Sequence, residues 1–386
     1  MTVRSFETTS TDPYAAGREL GAGCAAGVRG AWDRYRELWA AYAVTPDEVA
    51  AVGAAVLGPI EAFSPALRAE IAGIAAGASL PEWQLGALNA RTELLALGDQ
   101  RLLAAGRLPG EPVSECSTLV RLPSGGAPVT AQTWDWHATL HDSWFVWTRW
   151  LPSGRRVRTL TEYGIVGKIG LGINPSAGSA GSAGGGIGVH FNAMRHRDDT
   201  GLGGVPVQVV ARRMLDEAGS CDEALAVARA AEVTASAALT VTGRTLGPGD
   251  DWSACTVEMH PGGPSALPHN RADSGGWLAH TNHFTADAVG PDAGLVPQLS
   301  TSRERLDRVE LLARHADGPT APQAIADQLA THDLGERSVC VHGFPDAPVG
   351  QRSATLAVVV AEPAAGRLHV HAGKPCEARA GSWWTF

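Results

Sequence analysis

The chain has 386 residues, 44% of them hydrophobic and 18% charged, with a formal net charge of −9. That make-up suits a soluble globular protein with a large core, and it excludes the basic stripe that a nucleic-acid partner would need. Length alone suggests two or three average domains, although a single large sandwich also reaches this size. Lys168 and Lys374 are the only lysines, a usage that reflects genome composition rather than a binding role.

The first stretch, MTVRSFETTSTDPYAAG, is polar, and no run approaches the roughly 18 apolar residues of a membrane span. A cytoplasmic protein is expected. Residues 9 to 104 then read as helical: apolar positions recur at helical spacing through GRELGAGCAAGVRGAWDRYRELWAAYAV, and Thr45 stands as N-cap before Pro46 in TPDEVAAVGAAVL. SLPEWQLGALNARTELLAL repeats that pattern around Pro81 and Glu82, and Arg91 and Glu93 on this apolar segment are expected to form an internal ion pair.

From about residue 116 the texture changes to short alternating or β-branched runs, STLVRL, PVTAQTWDW, SWFVWTRWL and RRVRTLTEY. GINPSAGSAGSAGGGIGV lacks GxxxxGK[ST] and reads as a small-residue surface loop, not a phosphate cradle. Two helices follow in VPVQVVARRMLDEA and SCDEALAVARAAE, the second capped by Ser220. ACTVEMH, GWLAHTNHF, ATLAVVVAEP and RLHVHAG read as strands, and TSRERLDRVELLARH as a helix. Strands clustered before and after helices predict stacked layers of α+β type.

The segment SECSTLVRLPSGGAPVTAQTWDWH, Ser114 to His137, reads as a β-hairpin with unusual residues at its open end. With the turn near Gly125, antiparallel pairing sets Cys116 across from Trp134 and puts Asp135 beside the Cys116 backbone nitrogen. This arrangement acquires a function if the peptide bond before Cys116 is cut. The thiol would attack the Glu115 carbonyl, the acyl group would pass from nitrogen to sulfur, and water would release the upstream chain. The α-amine so freed, with an ordinary pKa of roughly 7.7 to 8.0, is a base for the thiol beside it. A structural cysteine in a core hairpin is the bland alternative.

Glu115-Cys116-Ser117 followed by AQTWDWH resembles the self-cleavage hairpin of the acyl-coenzyme A:isopenicillin N (6-aminopenicillanic acid) acyltransferase family, which are cysteine N-terminal nucleophile hydrolases. LNARTEL, GIVGKIGLG with IGVHFNAM, GVPVQVVARRML, HTNHF, STSRERL and HAGKPCE continue the similarity in the family's order over roughly residues 80 to 377. The resemblance implies a four-layer αββα sandwich, cut into a helical upstream segment (1–115) and a catalytic segment (116–386) packed as one domain. It implies Cys116 as nucleophile, Asp135 as the group that orients its amine, and Asn282 as oxyanion donor. It also gives Ser300 and Arg303 a pocket-side role, with Trp134 in the pocket wall. Glu115, Ser117 and Thr133 stand where Gly, Thr and Asn are common in the family, which puts the substrate in question more than the chemistry.

Other constellations are weaker. Six cysteines (Cys24, Cys116, Cys221, Cys255, Cys340, Cys376) show no CxxC pairing, which fits neither a zinc site nor a disulfide framework. His369 and His371 form an HxH that alternation aims at one sheet face, yet one pair makes no metal site. A papain-like triad of Cys116, His280 or His283, and Asn282 lacks the helix that should follow its cysteine. The expectation is therefore a self-processing cysteine amidohydrolase or acyltransferase with a thioester intermediate and no metal or prosthetic group. Its partners would be a small amide or acyl substrate and its own cleaved segment, with no nucleic acid or membrane. The alternatives are a transferase using an acyl-coenzyme A donor, and an uncleaved relative that only binds a small molecule.

Overall fold

The computed structural model describes residues 2–104, 116–175, 186–245, 251–262, 269–272, 275–286, 289, 294–296, 300–315, 318, 320–343 and 346–386. A short strand, β1 (Ser5–Glu7), precedes seven helices: α1 (Pro13–Gly23), α2 (Ala25–Ala41), α3 (Pro46–Ala55), α4 (Leu57–Phe63), α5 (Pro65–Ala78), α6 (Glu82–Asn89) and α7 (Arg91–Ala104). Capping sets several of these starts. Asp12 accepts from the Ala15 amide at 2.8 Å, Ser64 accepts from Leu67, and Thr45 and Glu48 form a reciprocal capping box ahead of α3. Helices α1 and α5 approach so closely that a Cβ on Gly17 would lie 2.1 Å from the Glu70 carbonyl oxygen, and one on Gly73 would lie 2.1 Å from that of Tyr14. Only glycine allows that crossing.

The hairpin is β2 (Ser117–Arg121) and β3 (Val129–His137). Next come β4 (Trp144–Trp150), β5 (Arg156–Glu162), β6 (Ile169–Ile173), β7 (Gly186–Ala193), α8 (Val207–Glu217), α9 (Cys221–Arg229), β8 (Ala237–Arg244), β9 (Trp252–Met259), β10 (His269–Arg271) and β11 (Trp277–His280). The chain closes with α10 (Ser302–Ala313), α11 (Pro322–Leu329), β12 (Ser353–Glu362), β13 (Arg367–Ala372) and β14 (Trp383–Thr385). Ser220 caps α9 as its sequence suggests. The short strands β1, β10 and β14 and helix α11 carry too little periodicity to be read from sequence. Residues 176–185 of the small-residue insert lie outside the described residues.

The strands form an eight-stranded sheet, ordered β1-β4-β5-β6-β7-β8-β9-β10, and a six-stranded one, ordered β11-β2-β3-β12-β13-β14. Among the described residues all strand pairings are antiparallel except β1 with β4. The class is α+β. Period-two alternation divides β12 between two cores: Ala357, Val359 and Ala361 join the large central cluster, while Val358 and Val360 join the cluster of α10 and α11. The sheets meet through polar contacts as well. Gln132 of β3 donates to the Phe191 carbonyl at 2.6 Å and accepts from the Phe191 amide at 3.2 Å.

Upstream helices and downstream sheet share one core, in which Trp39 of α2 and Trp147 of β4 are both fully buried. Buried ion pairs join the two stretches. Glu70 of α5 holds Arg149 at 2.8 Å and Arg212 at 2.7 Å. Arg91 does not pair with Glu93, because residues two apart on a helix point to different sides. Arg91 instead donates to Glu162 on β5 at 3.0 Å, and Glu93 accepts from the Val207 amide at 2.8 Å.

Candidate active site

The hairpin has the register that a turn at Gly125 demands. Ser117 pairs with Thr133, Thr118 with Gln132, and so on to Arg121 with Val129. Gly125 takes φ +66°, which an L side chain resists. Cys116 follows in the same register just before β2, opposite Trp134. Its thiol is buried and donates to the backbone carbonyl of Asp135 at 3.7 Å. Burial, followed by the charge of Asp135, pushes that thiol up to about 11. Glu115 lies outside the described residues.

Asp135 is fully buried, and its Oδ1 accepts from the Thr355 hydroxyl at 2.5 Å. Thr355 stands directly across from it on β12. The same hydroxyl accepts from the Val341 amide at 3.0 Å. The carboxylate is therefore aimed by a strand-to-strand relay, which no spacing in the sequence displays.

The Cys116 carbonyl oxygen is held from two sides. Asn192 at the end of β7 donates to it at 2.9 Å, and Arg305 of α10 donates at 3.2 Å. Asn192 in turn accepts from the Thr118 hydroxyl at 2.9 Å. Arg305 also donates to the Ser117 hydroxyl at 2.9 Å and to Asn282 Oδ1 at 3.1 Å, and so bridges the two ends of the site.

Asn282 donates its side-chain amide to the Ala193 carbonyl at 2.9 Å, which uses one of its two hydrogens. Its backbone amide donates to the Ser302 hydroxyl at 2.8 Å. The Thr281 hydroxyl donates to the Ser302 carbonyl at 2.8 Å. The HTNHF loop is thus pinned to the first turn of α10.

The structure brings Cys116, Asp135 and Asn282 into one buried constellation. It places Ser300 at the head of α10, where its hydroxyl accepts from the Ser302 amide at 3.1 Å. Arg303 lies on the exposed face of that helix. Ser302 and Arg305, at the same three-residue spacing but two residues on, take the inward positions. Trp134 is fully buried, with the Lys168 ammonium 3.8 Å from its ring centroid and Trp144 edge-on at 6.0 Å. Lys168 is itself buried 3.7 Å from Glu162. Burial and the neighbouring Arg91 bring its pKa down to about 7.

Asn192, Ser302, Arg305, Thr355 and Lys168 were not singled out from sequence. Two gave a signal: an asparagine inside the apolar run IGVHFNAM, and a lysine in a chain with almost none. His280 lies between Glu258 at 2.9 Å and the Thr281 carbonyl at 2.8 Å. His369 is bonded to Glu362 at 2.7 Å and His371 to Ser382 at 2.9 Å, so both imidazoles serve the edge near β14.

The Cys116 backbone and thiol, the Asp135 carboxyl and the Asn282 amide thus sit in one buried polar network on an α+β scaffold. The chain belongs to the acyl-coenzyme A:6-aminopenicillanic acid acyl-transferase family, whose model matches residues 122–377. A relative from Emericella nidulans, acyl-coenzyme A:6-aminopenicillanic-acid-acyltransferase 40 kDa form, is 27% identical over 306 residues, covering 79% of this chain and 74% of the relative. Acyl transfer is the chemistry that family and relative carry in their names. The family match begins just past Cys116, so the reading of that residue rests on the geometry.

Proposed function

We propose that the protein is a self-processing cysteine acyltransferase and amidohydrolase with a four-layer αββα N-terminal nucleophile fold, working in the cytoplasm. The observation that carries this reading is the placement of the Cys116 thiol against Asp135, with the Cys116 carbonyl held by Asn192 and Arg305. In the processing step the sulfur attacks the Glu115 carbonyl carbon, the Glu115–Cys116 C–N bond breaks, and the nitrogen takes a proton. Water then cleaves the thioester, leaving a carboxyl on Glu115 and a free thiol and α-amine on Cys116.

In turnover that amine removes the thiol proton, which burial otherwise holds tightly. Asp135 orients the amine. The sulfur attacks the carbonyl of the acyl donor, and the negative oxygen faces the amide of Asn282, a donor worth about 2.7–4 kcal/mol when so placed. The leaving amine or thiol takes the proton, and a second amine or water then takes the acyl group from sulfur. A small cleft lined by Tyr42, Leu95, Asp99, His137, Ala193 and His196 reaches Ala193, whose carbonyl accepts from Asn282. The family name favours an acyl-coenzyme A donor and a penicillin-type amine, with amide hydrolysis as the same chemistry run with water.

A denaturing gel with intact mass of the purified protein tests this. Two fragments, one beginning at Cys116, are expected, with Cys116→Ala remaining one chain. Asn282→Ala should keep substrate binding and lose turnover. A single uncut wild-type chain would leave a non-catalytic binding protein, and full activity of Cys116→Ala would refute the mechanism.

A further inference from the structure

Away from the thiol, four side chains from three separate stretches converge. His332 follows α11, Cys340 and His342 lie in the loop before β12, and Cys376 sits in a single helical turn after β13. One ligand atom from each lies within 4.8 Å of all the others. His342 Nε2 stands at the centre, 3.0 Å from His332 Nε2, 3.6 Å from the Cys340 sulfur and 3.3 Å from the Cys376 sulfur. His342 Nε2 carries either one proton or one lone pair, so it can hydrogen-bond well with only one of its three neighbours. The two imidazole nitrogens and two thiols suit a metal much better. A tetrahedron with bonds of about 2.0–2.1 Å to nitrogen and about 2.3 Å to sulfur has edges of roughly 3.3–3.8 Å; the three separations from His342 are 3.0–3.6 Å and the remaining pairs lie within 4.8 Å, so small side-chain adjustments close the set around one ion.

We propose that His332, Cys340, His342 and Cys376 bind one zinc ion. A soft-to-borderline S2N2 donor set in tetrahedral array selects zinc among the common divalent ions, and four protein ligands leave no open position for substrate. The ion is therefore structural. On binding, the two thiols release their protons to solvent and nothing is oxidised or reduced.

The site joins the loop before β12 to the turn after β13. It also reaches the nucleophile site. Val341 lies between two of the ligands, its amide donates to the Thr355 hydroxyl at 3.0 Å, and its carbonyl accepts from the Thr355 amide at 3.0 Å. Thr355 in turn holds Asp135. The metal would lock the backbone on which that relay hangs. Sequence spacing concealed this site: Cys340 and His342 are neighbours at C-x-H, but Cys376 follows His342 by 34 residues. The cysteines looked unpaired only because the fold supplies the pairing.

The test is metal analysis of the full chain, purified without a polyhistidine tag and kept reduced. About one zinc per chain is expected by mass spectrometry. Replacing it with Co(II) should produce the visible bands of a tetrahedral ion and a thiolate-to-cobalt charge-transfer band. Cys340→Ser and Cys376→Ser should each reduce zinc retention in dialysis at least about tenfold. Reduced wild-type protein that takes up no zinc or cobalt on titration overturns the proposal, as does zinc that persists undiminished in soluble Cys340→Ser. Should those variants fail to fold, the wild-type cobalt spectrum decides, and a spectrum without the thiolate band refutes the site. None of these readouts depends on whether Cys116 is acylated.

Discussion

Thr355→Val is the sharpest test of how Asp135 is held. The substitution keeps the branched shape and removes only the hydroxyl, and Asp135 and Thr355 are 0% and 2% exposed, so water cannot readily replace it. Two contacts disappear: the donation to Asp135 Oδ1 at 2.5 Å and the acceptance from Val341 at 3.0 Å. A hydrogen bond to a buried charge contributes about 1.5–3 kcal/mol, and an amide left unsatisfied costs about 1–3 kcal/mol. The methyl gained offsets roughly 1 kcal/mol of this. The net loss is then about 3 kcal/mol, on the order of 150-fold in the folding equilibrium. Urea unfolding in a Cys116→Ala background, where every molecule is a single chain, should show a lower midpoint with an unchanged slope. With Cys116 restored, fragment formation should slow about tenfold or more, since Asp135 is no longer aimed. Thr355→Ser should restore both. A Thr355→Val protein within about 0.5 kcal/mol of its parent and processed at the parental rate would refute the relay.

Asn192→Ala removes one of the two donors on the Cys116 carbonyl, so chain cutting followed on a gel should slow roughly ten- to a hundredfold while Arg305 keeps the remainder. For Lys168, whose pKa falls to about 7 in the folded chain, the unfolded state binds more protons between about pH 7 and 10.5. Its burial therefore costs most below pH 7, and the cost fades as pH rises towards 10.5. Lys168→Met should raise the thermal midpoint at pH 6 and raise it much less at pH 10; an equal gain at both would contradict the assignment. Gly73→Ala places a methyl 2.1 Å from the Tyr14 carbonyl oxygen, and calorimetry should report a loss of about 1–3 kcal/mol as α1 and α5 are forced apart.

Local chemistry was legible wherever neighbours in sequence decide it. Thr45 and Ser220 announced their helices because a cap acts within three residues. The hairpin register followed from its turn, since antiparallel pairing leaves no freedom once the turn is placed. Cys116 opposite Trp134, with Asp135 next along, was therefore available from a single stretch of 24 residues, Ser114 to His137. By itself the sequence determined most of the longer elements, the alternation that buries one face of a strand, and the pairing that brings thiol and carboxylate together, but not β1, β8, β10, β14 or α11.

What lies between distant elements was decided only in three dimensions. Thr355 reaches Asp135 across 220 positions, and Arg305 reaches Cys116 across 189. Such contacts depend on strand order and on the rotation of α10, and no local pattern encodes either. Phase was lost for the same reason: STSRERL suggested Ser300 and Arg303, whereas the docking of α10 turns Ser302 and Arg305 inward. The four-ligand cluster of His332, Cys340, His342 and Cys376 is the extreme case. Each member is unremarkable in its own segment, and only the folding of β12 and β13 into one sheet brings the four within reach of a single ion.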